Sequence, residues 1–507
     1  MSASRRLPAE LTAFLSLPGP QSLLIRGPPG SGKTTLSMGA LEAFQGRKIL
    51  VTSRVSSTEL QREFPWLGEN AGSNIEIVET KFSLGRVVEA SKAISSLGTL
   101  LASTGTESGE LRSFLWLPPA LQEAWSRLSE ASPAIVVVDS WDALVESYLG
   151  SPPPTGSTIP DRSEVERLLL TKMAEAPIHL VLVLERERQN QLDYLVNGVV
   201  QAQTEFRDDR MERWLLLRKL RGIRIANAMY PYTLEGGRFE CIEPMHPYSE
   251  LPTGRAEEEP NPMAGYIWPG SAAFAESFGR LPVGGMTLLE LDPSVPQSIP
   301  YFLFAPTIAQ VASKGGPVLI LPDTAATPGL LWKRVRSSVS QGKFLEHVRF
   351  VVPPNQPSSG RPDREPGLER TLMLLEPPKP GAPNAPNPLI EEFMRSGDAT
   401  AVPSLGIFHI TGLYTLANAF NIPITGEAVQ GLPGLMQAFT AGKLTHSIII
   451  GRSGEPLFER MRPLANLHLK ARTRQGRTIL QGLFPWTPNF LLAAGQEHPP
   501  YQLLQVV

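Results

Sequence analysis

Residues Gly27-Pro28-Pro29-Gly30-Ser31-Gly32-Lys33-Thr34 follow the P-loop pattern G-x-x-x-x-G-K-[ST], and Thr35 comes next. These residue types at these spacings suit the capture of phosphate. Gly27, Gly30 and Gly32 allow backbone angles and a close approach that a side chain would block. Successive backbone N–H groups can then curl around phosphate oxygens, and a helix N-terminus adds partial positive charge. Lys33 is placed to reach the β- and γ-phosphates, and the Thr34 hydroxyl to ligate Mg2+. ATP and Mg2+ are therefore the expected ligands, held by Gly27 through Thr35.

Such a loop needs a strand before it, a helix after it and an acidic residue on a second strand. Ser22-Leu23-Leu24-Ile25-Arg26 reads as the buried strand, and Thr34 to Phe44, rich in Leu, Met, Ala and Glu, as the helix. Ala134-Ile135-Val136-Val137-Val138-Asp139-Ser140 is continuous, β-branched and apolar, as a strand covered on both faces should be. Asp139 stands at its C-terminal end, where open α/β sheets bind ligands, and is the expected Mg2+ partner. Lys48 to Thr52, His179 to Leu184 and Trp214 to Arg218 supply further strands, with a helix over Val165 to Ala174. Strands alternating with helices predict an α/β fold with a central, mostly parallel sheet.

Composition bounds the rest. The 507 residues suffice for two or three domains. Lys and Arg total 47 against 49 for Asp and Glu, a balance that gives nucleic-acid binding no support. The single cysteine, Cys241, excludes an internal disulfide and a cysteine zinc site, and suits a reducing compartment. Glu10 interrupts the only candidate signal sequence, and no run of 18 apolar residues exists, so a cytoplasmic protein without membrane spans is expected. The 49 prolines concentrate in 151–156, 257–262, 353–366 and 377–388, which read as loops or linkers. The second of these marks the expected boundary: a first domain over 1–250, a linker over 251–265 and a second domain over 266–507.

The P-loop on the first strand, Val137-Val138-Asp139-Ser140, the strand ending in Glu185 and Lys219-Leu220-Arg221-Gly222 together resemble the RecA/KaiC/RadA superfamily over about residues 8–245. Within it, Ser22 to Gly27 after Pro18-Gly19 is similar to the archaeal GvpD-type P-loop proteins, named for a gas-vesicle regulator. The resemblance implies a RecA-like domain and a homo-oligomer. In KaiC-like relatives the lysine and arginine of Lys-x-Arg-Gly reach the neighbouring subunit's γ-phosphate. Carried over, Lys219 and Arg221 join Lys33 and Asp139 as the catalytic set; the alternative is a solvated basic cluster with Arg218 and Arg224. KaiC-like ATPases also carry a catalytic glutamate just after the second strand. Here Thr52-Ser53-Arg54 occupies that stretch, so slow hydrolysis is expected.

The C-terminal half resembles the first with its chemistry removed. Gly285 to Asp292 reads like the lead-in strand, but Pro293-Ser294-Val295-Pro296-Gln297-Ser298 replaces the loop, without glycines or lysine. A helix over Tyr301 to Lys314 and a strand over Pro317 to Leu321 follow. Gly406 to Thr411 stands where Val136 to Ser140 stood, with Thr411 in the aspartate's place, and His446 to Ile450 parallels His179 to Val183. A degenerate RecA-like domain is expected. None of the seven histidines has another at i, i+4, and His409 reads as a core residue rather than a metal ligand. The leading function is a nucleotide-dependent regulatory ATPase with a regulatory protein partner. A RadA-like recombinase and a non-hydrolysing, nucleotide-bound scaffold stay open; for the former, the Gly150 to Arg162 loop carries only Asp161 and Arg162 as charges.

Overall fold

The computed structural model describes residues 7–69, 75–80, 117–128, 133–150, 161–174, 178–185, 191–242, 256–323, 327–352, 367–375, 389–390, 392–393, 403–419, 445–494 and 501–506. The proline-rich segments 151–156, 353–366 and 377–388, and most of the Gly150 to Arg162 loop, lie outside them. The chain divides into two compact units, Met1–Glu243 with Val506–Val507, and Pro244–Gln505.

In the first unit the strands are β1 (Ser22–Arg26), β2 (Arg47–Thr52), β3 (Ile75–Glu79), β4 (Ala134–Asp139), β5 (Ile178–Val183), β6 (Gly198–Arg207), β7 (Arg210–Leu220), β8 (Met229–Thr233) and β9 (Glu240–Cys241). They form one sheet in the order β3-β2-β4-β5-β1-β6-β7-β8-β9. From β3 to β6 neighbours run parallel, and from β6 to β9 antiparallel. The apolar runs are explained by cover on both faces. Ile135 and Val137 pack into one core with Ile25 and Leu36, while Val136 and Val138 pack into the other with Leu24 and Trp141. The predicted strand around Trp214 is part of the long β7, which is antiparallel to β6 and not a member of the parallel set. β6 itself escaped the sequence reading, because Gln201-Ala202-Gln203-Thr204-Glu205 breaks its apolar run.

The second unit carries the pair β10 (Tyr266–Ile267) and β11 (Leu281–Pro282). Its main strands are β12 (Met286–Leu291), β13 (Val318–Leu321), β14 (Val348–Val352), β15 (Leu372–Leu374), β16 (Ser404–His409), β17 (Thr445–Gly451), β18 (Leu467–Arg474), β19 (Arg477–Phe484), β20 (Asn489–Ala494) and β21 (Tyr501–Gln505). Their order is β15-β14-β13-β16-β17-β12-β18-β19-β20-β21. Set β12 on β1, β17 on β5, β16 on β4 and β13 on β2, and the two sheets share one topology, with β15 as an extra edge. The degenerate second RecA-like fold is thus present. Residues 256–262 pack within this unit: Glu257 N–H donates to the Gly270 carbonyl at 2.9 Å, and Glu259 pairs with Arg280 at 2.6 Å.

Register corrects one sequence assignment. Asp139 lies level with Val183 and Ile25, while His409 lies level with Ile450 and Leu289. The counterpart of Asp139 is therefore His409. Thr411 has already entered the helix Ile410–Ala419 and is exposed. Sequence spacing alone misses this because the helix starts directly after β16, whereas Ser140 intervenes as an N-cap after β4. His409 is buried, stacks on Tyr301 at 5.4 Å and lies 3.9 Å from Asp323. Burial holds its imidazole down at about 4, so it is neutral at neutral pH.

Candidate phosphate site

The loop Gly27–Gly32 joins β1 to the helix Lys33–Ala43, whose N-cap is Gly32 in the left-handed conformation at φ 76°. First-turn N–H groups of a helix have no preceding turn to bond, so those of Lys33, Thr34 and Thr35 face the loop as an anion-binding end. Lys33 Nζ donates to the carbonyls of Gly27 at 2.7 Å and Pro28 at 2.9 Å, which folds the ammonium over the cradle. Pro29 and Gly30 form its exposed lip, while Ser31 is buried beneath.

The antiparallel strands hold this loop from behind. The Arg213 guanidinium donates to the Gly30 carbonyl at 2.7 Å, and the Tyr232 hydroxyl donates to the Ser31 carbonyl. A Cβ on Gly27 would lie 2.5 Å from the Ala202 carbonyl oxygen, so strand and loop touch backbone to backbone. Gly27→Ala is therefore expected to displace the loop and lower stability by about 1–3 kcal/mol, read by urea denaturation. Neither Arg213 nor Tyr232 carried a sequence signal, because their contacts depend on how β7 and β8 fold back.

Opposite the loop, the Thr34 hydroxyl donates to Asp139 Oδ2 at 2.6 Å. Burial pushes the Asp139 carboxyl above its ordinary range; the Thr34 hydrogen bond and Lys33 act against this, and Glu185 adds to it. A divalent cation would reverse that balance, and a hydroxyl beside a carboxylate is the hard oxygen donor set that Mg2+ takes together with phosphate oxygens.

A second layer surrounds Asp139. The Ser140 hydroxyl donates to Glu185 Oε1 at 2.6 Å, and Arg54 pairs with Glu185 Oε2 at 2.7 Å. Ser53 Oγ accepts from Ser140 N–H at 3.0 Å. Glu185 follows β5, the strand between β1 and β4, and its carboxylate is turned toward the residues after β4 and β2, Ser140 and Arg54.

Lys219 and Arg221 sit elsewhere. Lys219 pairs with Val199, level with Leu24 in the middle of β1, while the loop follows that strand's end. Its ammonium donates to the carbonyls of Asp193 at 2.9 Å and Val196 at 2.6 Å, and Arg221 donates to that of Tyr194 at 3.2 Å. Burial and the adjacent Arg221 lower the Lys219 pKa. Among the described residues of one chain, these cations thus donate to the carbonyls of Asp193, Tyr194 and Val196.

In the second unit the corresponding turn is closed. Asp292 Oδ1 accepts from Ser294 N–H at 3.0 Å and from its hydroxyl at 2.6 Å, so a donor that a cradle would present is already used.

A glycine loop on the first strand, an acidic residue at the end of β4 and β5 between the two define an α/β P-loop protein of RecA-like topology. Residues 119–221, which contain Asp139, Glu185, Lys219 and Arg221, match the family described as GvpD gas vesicle protein, P-loop domain. The chain is 26% identical to Protein GvpD2 of Halobacterium salinarum over 503 residues, covering 95% of this chain and 92% of that protein. It is 24% identical to Protein GvpD1 of the same organism over 546 residues, covering 99% and 96%. Similarity to GvpD-type P-loop proteins thus runs along nearly the whole chain. No helix among the described residues is long and apolar enough to cross a membrane.

Proposed function

We propose that the first unit binds Mg-ATP and that the protein is a cytoplasmic, nucleotide-dependent regulator of the GvpD type, acting in gas-vesicle formation through a protein partner. The observation that carries this reading is the Thr34–Asp139 contact of 2.6 Å across a glycine cradle. Bound ATP would supply a γ-phosphate that orders the loops around it, and its loss would release them. The chain's own residues would do the holding: backbone N–H groups of the cradle for the phosphates, Lys33 for the β- and γ-oxygens, Thr34 and Asp139 for Mg2+. The second unit, with Pro293 and Pro296 lacking N–H donors in its turn, would bind none. Sedimentation velocity of the full chain with ADP and with ATP plus Mg2+ tests the nucleotide dependence. Different distributions are expected; identical ones, with identical limited-proteolysis patterns, would refute it.

Hydrolysis on this reading is slow and helped by self-association, with Lys219 and Arg221 completing a second copy's site. Mixing Lys33→Ala chains with Arg221→Ala chains should then restore part of the rate that each lacks alone, since one interface pairs an intact loop with an intact arginine. Full activity in Arg221→Ala by itself would instead return both cations to the helix-end contacts they make within one chain.

A further inference from the structure

The carboxylates near the phosphate loop are mostly committed to other work. Glu79 accepts the Ser57 N–H at 2.7 Å, and Glu59 forms a capping box with Ser56. Asp142 is buried and paired with Arg162 at 2.6 Å. Asp139 is bonded to Thr34. Glu185 differs. It follows the strand between the loop strand and the Asp139 strand, its N–H donates to Asp142 Oδ2 at 2.8 Å, its side chain is 32% exposed, and among the described residues its carboxylate is bonded to two side chains. Those are the hydroxyl of Ser140, next to Asp139, and the guanidinium of Arg54, which is 62% exposed. Arg54 belongs to the stretch after β2 that lacks a glutamate of its own. That stretch therefore supplies the partner of a carboxylate delivered by another strand.

We propose that Glu185 is the carboxylate that orients and deprotonates the attacking water, and that its ion pair with Arg54 keeps it in check. This rests on the Mg-ATP reading above. In the step, the water oxygen bonds to the γ-phosphorus while a water proton passes to the Glu185 carboxylate. The bond from the γ-phosphorus to the β,γ-bridging oxygen breaks, and its electron pair leaves with ADP. Glu185 then returns the proton to the released inorganic phosphate or to solvent. Engaged by the guanidinium and the Ser140 hydroxyl, both carboxylate oxygens are occupied; freed from Arg54, one of them can accept the proton. Slow turnover then reflects restraint of the carboxylate, not its lack.

The test uses the full chain with ATP and Mg2+, reading phosphate release and the ATP-induced rise in melting temperature together. Glu185→Gln should keep the melting shift and lose about a hundredfold in kcat, the usual worth of a positioned base. Arg54→Ala should keep the shift and raise kcat several-fold, and the double variant should match Glu185→Gln. Turnover at the wild-type rate in Glu185→Gln would overturn the proposal. So would a double variant that keeps the Arg54→Ala gain, or ATP-induced shifts in wild type and Arg54→Ala with no turnover in either. Absence of any melting shift in the wild type would instead remove the Mg-ATP reading itself.

Discussion

Lys33→Ala is expected to abolish the ATP-induced melting shift while leaving the first unit folded. The ammonium donates to the carbonyls of Gly27 and Pro28, which solvent can satisfy when the side chain is cut back. A bound triphosphate would lose the Lys33 ammonium from its cradle. Truncating a charge that is hydrogen-bonded to an opposite charge costs about 2–5 kcal/mol of binding. A loss of affinity of about thirtyfold or more follows. For the wild type, ATP at about 100 times its dissociation constant should add about 2.7 kcal/mol of stability, and differential scanning fluorimetry will register it. An unchanged shift in Lys33→Ala would mean that the loop does not hold the phosphates.

Glu290→Ala is expected to produce the largest loss of stability in the second unit, about 3 kcal/mol. Glu290 lies on β12 and is 2% exposed, with Arg462 at 3.2 Å, His468 at 3.2 Å and Lys470 at 3.5 Å. Burial alone would raise its carboxyl; His468, Lys470 and Arg462 outweigh burial and hold it down to about 2. The folded value is below the unfolded one, near 4.5, so this group's stabilisation is complete above about pH 4.5. It is lost as pH falls from there toward about 2. Glu290→Gln should remove both the stabilisation and that acid dependence, seen as a flatter melting temperature between pH 5 and about pH 3. An acid profile identical to the wild type would contradict the assignment. The register equivalent in the first unit is Arg26, which pairs with Asp193. The same strand position thus holds a buried charge of opposite sign in the two copies.

Local motifs carried the sequence reading furthest. The P-loop, its strand and its helix are contiguous, and Asp139 ends a run that only a doubly covered strand would show. The shared topology of the two sheets was also visible, since the order of strands and helices survives when residue identities do not. What depended on three-dimensional register was not visible. His409, rather than Thr411, matches Asp139 because a helix begins one residue earlier after β16 than after β4. Glu185 and Arg54 meet only because β5 inserts between β1 and β4, with β2 beyond. Arg213 reaches Gly30 from a strand that folds back antiparallel. Lys219 and Arg221 were legible as a motif, but their contacts to the carbonyls of Asp193, Tyr194 and Val196 required the short helix Leu192–Leu195 to be in place.

The central claim is that one of two related units keeps the nucleotide chemistry. Isothermal titration calorimetry of the full chain with ATP tests it most directly, once with Mg2+ and once with a chelator. The account predicts one site per chain, weakened when Mg2+ is removed because Thr34 and Asp139 then hold no cation against the phosphates. No saturable heat, or two equivalent sites per chain, would contradict it.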